Sequence, residues 1–222
     1  MKELIVLKKP KSSTSEAIRT LRTNLQFTFV DDSVNTIMIT SSMPGEGKSY
    51  ISANLAAAFS MVNCKVLLID CDLRKGRQHK IFDLDNEKGL SNLLIDDINN
   101  YKKYINKTEV DNLFVLTGGV VPPNPSELLG SEKNKDLIEK LKKDYDLIIL
   151  DCPPLNCVTD SLILTSLATQ SIIVSQYKKN PMDLLLTYKK SLESTGIKIS
   201  GIVLNQIEQN GKNHYYYNKY YQ

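Results

Sequence analysis

The chain of 222 residues is 41% hydrophobic, which suits a single globular domain with a substantial core. Its net charge of +3 is too small to indicate nucleic-acid binding by itself. No apolar run approaches the roughly 18 to 20 residues of a membrane span, and the run at residues 4–7 is too short for a signal peptide. We therefore expect a cytoplasmic domain whose attachment to a membrane would require a partner.

The cysteines show no Cys-x-x-Cys spacing; they are Cys64, Cys71, Cys152 and Cys157. This pattern predicts free thiols in a reducing compartment, with no zinc site. Cys71 and Cys152 each follow an aspartate, so both redox sensitivity and ordinary packing remain open for them.

The N-terminal region is expected to contain a flexible leader followed by a helix. Residues 1–12 are rich in lysine, and we predict that they form an exposed leader. Ser13 and Glu16 have the spacing of a capping box, which predicts a helix over residues 13–30.

Three charged residues follow one ridge of this helix at three-residue spacing: Glu16, Arg19 and Arg22. They could form ion pairs within the helix, which contribute only tenths of a kcal/mol (about 0.2–0.5) on a wet surface. Alternatively, Glu16 of one subunit could contact Arg19 or Arg22 of the next. The spacing alone leaves both interpretations open.

A Gly-rich loop follows the apolar strand predicted at residues 37–39 and precedes a helix-prone segment. This is the context of a phosphate-binding P-loop, in which Gly45 and Gly47 let backbone N–H groups point inward. Lys48 would reach the β- and γ-phosphates, and the Ser49 hydroxyl would bind Mg²⁺. The alternative is an ordinary strand–turn–helix with a solvated lysine. The predicted ATP-binding residues are Ser42, Met43, Pro44, Gly45, Glu46, Gly47, Lys48, Ser49, Tyr50 and Asn205.

Carboxylates end two further apolar runs, at residues 66–69 and 147–150. Continuous apolar runs indicate parallel strands that are buried on both faces, and ligands bind where such strands end. Asp70, Asp72 and Asp151 could be helix caps or turn formers, but a P-loop on the same chain favours catalysis. We predict Lys48, Asp70, Asp72 and Asp151 as catalytic residues and Ser49, Asp72 and Asp151 as metal ligands.

Other segments predict the rest of an α/β domain. Strands are expected at residues 113–117, 171–175 and 201–205, helices at 89–95, 132–143 and 180–193, and a polar loop at 96–100. Asn205 follows the last strand, where it could bind an adenine edge. Gln206-Ile207-Glu208 stands where a guanine site has Lys-x-Asp, which favours ATP over GTP.

Clustered tyrosines mark residues 210–222, which lack an apolar period and are expected to be a mobile tail. The tail could stack on a partner or on RNA. It could also be a substrate of the ATP site. In that case the phosphoacceptors are Tyr215, Tyr216, Tyr217, Tyr220 and Tyr221.

Together these features resemble the bacterial tyrosine kinases that control capsular and extracellular polysaccharide synthesis. The resemblance rests on residues 41–49, 68–74 and 148–154, on the Glu16-x-x-Arg19-x-x-Arg22 helix and on the tyrosine tail. Ser42 replaces the first glycine of the full P-loop pattern, as is ordinary in that family.

The resemblance implies a single P-loop NTPase domain over residues 13–209, with a mostly parallel central sheet and helices on both faces. Its fold would be related to that of partitioning ATPases, which carry a lysine where this chain has Met43. The resemblance also implies ATP and Mg²⁺ as ligands and trans-autophosphorylation of the tail in a ring-shaped homo-oligomer. The expected partners are a membrane activator, which would recruit the chain to the inner face of the membrane, and a tyrosine phosphatase.

Two other functions remain possible from the sequence. An ATP-dependent switch or scaffold would release phosphate without forming phosphotyrosine. A nucleic-acid-binding ATPase would need a basic patch beside the aromatic residues, but the tail offers only Lys212 and Lys219. We therefore expect no nucleic-acid partner.

Overall fold

A seven-stranded sheet forms the centre of the protein. The computed structural model describes residues 3–29 and 35–207. The strands are β1 (Asn35–Ser41), β2 (Val66–Asp70), β3 (Asn106–Lys107), β4 (Leu113–Leu116), β5 (Leu147–Asp151), β6 (Gln170–Gln176) and β7 (Lys198–Asn205). Their order in the sheet is β3-β4-β2-β5-β1-β6-β7, with β3 antiparallel to β4 and the other pairs parallel. The α/β architecture with a mostly parallel sheet is confirmed.

Helices cover both faces of this sheet. They are α1 (Ile5–Lys8), α2 (Ser13–Gln26), α3 (Lys48–Ser60), α4 (Gln78–Phe82), α5 (Leu90–Ile95), α6 (Pro125–Leu129), α7 (Glu132–Leu141), α8 (Asp160–Leu164) and α9 (Met182–Glu193). Alternate residues of β5 enter different cores: Leu147 and Ile149 pack on the side of α1, α2 and α3, whereas Ile148 and Leu150 pack on the other side. Burial on both faces explains the continuous apolar runs of the central strands.

The register of the strands brings the predicted catalytic aspartates Asp70 and Asp151 together. Asp70 and Asp151 are paired residues of the neighbouring strands β2 and β5, and Cys71 N donates to Asp151 O at 2.9 Å. Strand β1, which leads into the P-loop, is the other neighbour of β5. The phosphate-binding loop and the carboxylates therefore meet at one edge of the sheet.

The N-terminal segment differs from the exposed leader that the sequence predicted. Leu4 and Val6 are fully buried, and α1 packs against α2 and α3. The Val6 N–H donates to Asn54 Oδ1 at 3.3 Å, and Asn54 Nδ2 donates to Glu3 O at 3.0 Å. The short apolar run at residues 4–7 is buried by α3, although it is too short to show a helical period.

Two local predictions were wrong. Helix α2 is capped by Ser12, whose hydroxyl accepts from Ser15 N at 3.2 Å, so the Ser13–Glu16 capping box does not form. A 3₁₀ helix, Ile98–Lys103, begins inside the predicted polar loop, with the Asp97 carboxylate as its N-cap. The predicted tail at 210–222 lies outside the described residues.

Candidate active site

The P-loop has the backbone conformation that its glycines allow. Gly45 and Gly47 have φ values of 81° and 91°, in the left-handed region that favours glycine. A Cβ atom on Gly47 would lie 2.2 Å from Asn205 Nδ2, so this position also excludes any side chain. Helix α3 begins at Lys48, directly after the loop, and directs its N-terminus towards the cleft.

The four residues predicted to be catalytic form one buried group, which we call the catalytic cluster (Lys48, Asp70, Asp72 and Asp151). Lys48 Nζ lies 3.0 Å from Asp72 Oδ2 and 3.4 Å from Asp151 Oδ1. It also lies 3.4 Å from the Ser49 hydroxyl. The lysine predicted to bind phosphate is thus the counter-ion of the carboxylates at the ends of β2 and β5.

Charge and burial shift the protonation of this cluster. Burial disfavours the Lys48 ammonium, but attraction by Asp151, Asp72 and Asp70 outweighs it, and the pKa of Lys48 is raised. Burial, as the largest cause, and repulsion from Asp151, as the second, raise the pKa of Asp70 to about 8. The Asp70 carboxyl is therefore much less acidic than a free aspartate, whose pKa is near 4.

Gln78 is a site residue that the sequence did not reveal. It is fully buried, and its Nε2 donates to Asp151 Oδ2 at 2.8 Å and to Ser49 O at 3.1 Å. Its backbone N–H donates to Asp70 Oδ2 at 2.9 Å. Gln78 thus orients two carboxylates of the catalytic cluster, from a segment whose sequence has no motif or period.

Behind the P-loop lies a second polar group, which we call the anchor cluster (Glu46, Ser175, Gln176 and Asn180). Glu46 and Ser175 are buried, and the other two are partly buried. Glu46 Oε2 accepts from Met43 N at 2.7 Å, and Glu46 Oε1 accepts from Gln176 N at 2.9 Å. Ser175 Oγ, at 3.3 Å, and Asn180 Nδ2 also donate to Glu46 Oε1. The Glu46 side chain fixes the loop to the end of β6 and does not face the cleft.

A cleft of about 540 Å³ opens in front of the loop. It is lined by seven of the ten predicted ATP-binding residues, namely Pro44, Gly45, Gly47, Lys48, Ser49, Tyr50 and Asn205. Ser42, Met43 and Glu46 do not line it. Asp72 lines the cleft, whereas Asp70 and Asp151 are fully buried beneath it.

Asn205 holds the loop in this structure. Its Nδ2 donates to Glu46 O at 2.8 Å, and neighbouring Gln206 donates to Gly45 O at 3.1 Å. Contact of Asn205 with an adenine edge stays a prediction.

Arg74, to which the sequence assigned no role, joins three loops at the cleft. Its Nε lies 2.9 Å from Oδ2 of the fully buried Asp160, and its NH2 group donates to Ser126 Oγ at 3.1 Å. Ser126 Oγ in turn donates to Asp160 Oδ1 at 2.5 Å. This brace connects the loop after β2 with the starts of α6 and α8.

The charged ridge of α2 makes contacts within one chain. Arg19 Nε donates to Glu16 Oε2 at 3.3 Å. The Arg22 guanidinium donates to Ala58 O at 3.0 Å, in the last turn of α3. These contacts agree with intrahelical pairing for Glu16 and Arg19, and the predicted contact between subunits remains a prediction.

Some predicted features lie beyond what the structure describes. Tyr215, Tyr216, Tyr217, Tyr220 and Tyr221 fall outside residues 3–29 and 35–207. Within those ranges, no helix has the length and apolar character needed to cross a bilayer. The same residues contain no group of three or more His, Cys, Asp or Glu side chains that could hold a metal ion.

The fold is shared with known nucleotide-binding proteins. The family described as AAA domain matches residues 34–195. The cell division ATPase MinD of Pyrococcus furiosus superposes with a TM-score of 0.67 at 26% identity, covering 81% of this chain and 75% of MinD. The predicted relation to partitioning-type P-loop ATPases is confirmed.

Tyrosine kinases are more similar still. Tyrosine-protein kinase YwqD of Bacillus subtilis is 39% identical over 92% of this chain and 86% of its own length. Tyrosine-protein kinase Etk of Escherichia coli is 37% identical over 94% of this chain, which spans 28% of Etk. The crystal structure of the chimerical protein CapA2B2 has a TM-score of 0.88 at 41% identity, with 94% and 92% of the two chains covered. With these relatives and a P-loop whose lysine contacts the strand-end aspartates, the chain belongs to the bacterial tyrosine-protein kinases.

Proposed function

We propose that this kinase uses ATP and Mg²⁺ to phosphorylate the tyrosines of its own C-terminal tail, between neighbouring copies, and thereby regulates capsular or extracellular polysaccharide synthesis. The proposed acceptors are Tyr215, Tyr216, Tyr217, Tyr220 and Tyr221. The observation that carries the proposal is the contact of the P-loop lysine with Asp72 and Asp151 beside an open cleft. The tyrosine cluster in the sequence supplies an acceptor for that cleft.

The residues of the cleft fit a nucleotide phosphate. The loop amides and the start of α3 present positive partial charge, and Lys48 adds a full charge. Ser49 and Asp72 line the cleft with oxygen atoms of the kind that Mg²⁺ prefers, and Asp151 lies behind them. Mg²⁺ held by these residues would neutralise charge on the transferring phosphoryl group.

The proposed reaction transfers the γ-phosphoryl group of ATP to a tyrosine hydroxyl. The bond between the γ-phosphorus and the bridging oxygen of ATP breaks, a bond to the tyrosine oxygen forms, and ADP leaves. The phenolic proton passes to a carboxylate or to solvent late in the reaction, because the transition state is loose. Asp72 is the carboxylate that faces the cleft, whereas Asp70 would have to be uncovered before it could contact the hydroxyl. We therefore propose that Asp72, besides its proposed contact with Mg²⁺, orients the acceptor hydroxyl, and that Asp70 shapes the cluster.

Assembly would bring the tail of one copy to the cleft of the next. We propose a ring-shaped homo-oligomer in which Glu16, Arg19 and Arg22 contribute to the contact between copies. We further propose a membrane activator that recruits the kinase from the cytoplasm to the inner face of the membrane, and a tyrosine phosphatase that reverses the reaction. Each tail phosphate adds about −1.5 to −2 charge, so full phosphorylation would loosen the ring by repulsion. Light scattering should then report smaller assemblies.

Mass spectrometry of the tail after incubation with Mg-ATP tests the proposal. Wild type and Lys48→Met are compared, each with and without the cytosolic segment of a candidate activator. Phosphate on residues 215–221 in wild type alone would support a kinase that acts on its tail through this P-loop. Release of inorganic phosphate with every tail tyrosine unmodified would instead indicate a switch ATPase, an activity that the likeness to MinD makes worth testing.

A further inference from the structure

One wall of the cleft is strongly basic. The loop between β2 and α4 contributes Arg74, Lys75 and Arg77 to its lining. Asp72 is the one acidic side chain among the described lining residues, and Lys48 already lies 3.0 Å from its Oδ2. An acceptor that enters along this wall therefore meets excess positive charge.

These three cations are not equally available. Arg74 is held by the buried Asp160, whereas Arg77 lies 3.1 Å from Oε1 of the partly exposed Glu3, a surface pair that contributes little and can exchange. Lys75 is exposed, and its ammonium makes no ion pair or hydrogen bond within the described part of the chain. Its backbone N–H donates to Asp72 Oδ1 at 3.0 Å, which fixes the base of this side chain next to the catalytic cluster.

Another part of the cleft lining is different in character. Pro153, Pro154 and Val158 line the cleft there, in the segment that follows β5. Such apolar side chains suit the flat ring of a tyrosine. The basic and the apolar part of the lining together fit an aromatic acceptor that carries negative charge beside it.

The tail lacks such charge before it is modified. Residues 209–222 contain no Asp or Glu but contain Lys212 and Lys219. Phosphate on a neighbouring tyrosine would supply the missing negative charge. We propose that Lys75, with Arg77, binds a phosphotyrosine already present in the acceptor tail, so that the first phosphorylation makes the next tyrosine a better acceptor. This inference rests on the proposed function, in which the tail is the acceptor.

The number of cations limits the effect. One free ammonium and one exchangeable guanidinium balance about one phosphate of charge −1.5 to −2. Further phosphates find no additional free cation among the described residues of this lining and are repelled by the carboxylates of the catalytic cluster. Early phosphorylation therefore favours engagement of the tail, and complete phosphorylation favours its release.

Synthetic peptides of residues 209–222 test this specificity with the full-length kinase. Phenylalanine replaces Tyr216, Tyr220 and Tyr221, so that Tyr217 is the single acceptor, and position 215 holds phosphotyrosine, glutamate or phenylalanine. We expect kcat/KM to be about three- to tenfold higher with phosphotyrosine than with phenylalanine, with glutamate between them. Added salt should reduce the preference.

Three variants that each remove one positive charge test which residue causes the preference for the phosphotyrosine peptide. Lys75→Gln should bring the ratio of phosphotyrosine to phenylalanine peptides close to one, and Arg77→Gln should reduce it less. Lys80→Gln, an exposed lysine on α4 that does not line the cleft, should keep the wild-type ratio. KM for ATP should stay within about twofold in all three variants, because the proposed contact is with the acceptor and the charges are exposed.

Each other outcome has a definite meaning. Equal kcat/KM for the three peptides in wild type would overturn the inference while leaving kinase activity intact. A higher KM for ATP in Lys75→Gln, with an unchanged ratio between the peptides, would assign Lys75 to nucleotide binding instead. Equal kcat/KM for the glutamate and phosphotyrosine peptides would show a general preference for acidic residues in place of phosphotyrosine recognition. If no peptide and no tail tyrosine were phosphorylated, the proposed function would fail and the inference with it.

Discussion

Two polar groups lie on opposite sides of the P-loop, and they are stabilised differently. In the anchor cluster behind the loop, four hydrogen-bond donors satisfy the single carboxylate of Glu46. The catalytic cluster in front sets one ammonium against three carboxyl groups. The contacts that fix the shape of the loop therefore lie outside the cleft. Under the proposed function, the charges of the catalytic cluster can exchange partners while the loop keeps that shape.

The largest effect should follow from removing the one cation of the catalytic cluster. Lys48→Met should lower kcat by at least about 10²-fold, because the charge that stabilises the transferred phosphoryl group is lost. It should also lower the free energy of unfolding of the nucleotide-free protein by about 3 kcal/mol, since buried carboxylates lose their counter-ion. Kinase assays and thermal unfolding measure the two effects.

Lys80→Met is the matched control, because Lys80 is exposed on α4. It should change neither quantity beyond experimental error. Full thermal stability in Lys48→Met would contradict the view that Lys48 is the structural counter-ion of this cluster.

A smaller effect is expected from the anchor cluster. Glu46→Gln places an amide where a carboxylate accepted four hydrogen bonds, so at least one buried donor loses its partner at a cost of about 1–3 kcal/mol. The dissociation constant for ATP should rise about tenfold, because part of that energy is lost from the preformed loop. Titration calorimetry measures this constant.

Glu87→Gln, at an exposed position, should leave ATP affinity unchanged. If Glu46→Gln lowered kcat strongly but left ATP affinity intact, Glu46 would have a catalytic role and the contrast between the two clusters would break down.

Gln78 should show the smallest effect of the three. Gln78→Met keeps the volume but removes the donor that holds Asp151 and the carbonyl of Ser49. We expect kcat to fall about five- to tenfold with little change in KM for ATP, because a neutral hydrogen bond contributes about 1 kcal/mol. Steady-state kinetics of Gln78→Met and of Gln26→Met, which changes an exposed glutamine of α2, would separate a positioning role from a general loss of stability.

The catalytic cluster was predictable from the sequence, and the anchor cluster was not. The apolar runs before Asp70 and Asp151 predict buried parallel strands, whose carboxyl ends lie at one edge of the sheet. The Gly-rich loop predicts that Lys48 lies at the same edge. Three of the four hydrogen bonds of Glu46 join it to residues 129 to 134 positions away in the sequence. No local pattern encodes such pairs, so Glu46 was assigned to ATP on its place in the loop alone.

The N-terminal differences have the same origin. The cap of α2 was misplaced by one position because Ser12 and Ser13 offer the same chemistry. Burial of Leu4 and Val6 depends on contacts with α3. No pattern in the sequence predicts these contacts, so the leader was expected to be exposed.

The position of β5 has a consequence for how the kinase is made. This strand lies between β1 and β2 in the sheet, yet it follows both in the chain by a long segment. During synthesis, β1 and β2 therefore cannot form their hydrogen bonds with β5 until residues 147–151 have left the ribosome. The nascent chain cannot bring Asp151 beside Asp70 and Lys48 before that late insertion, so the complete catalytic cluster forms only after about two thirds of the chain has been made.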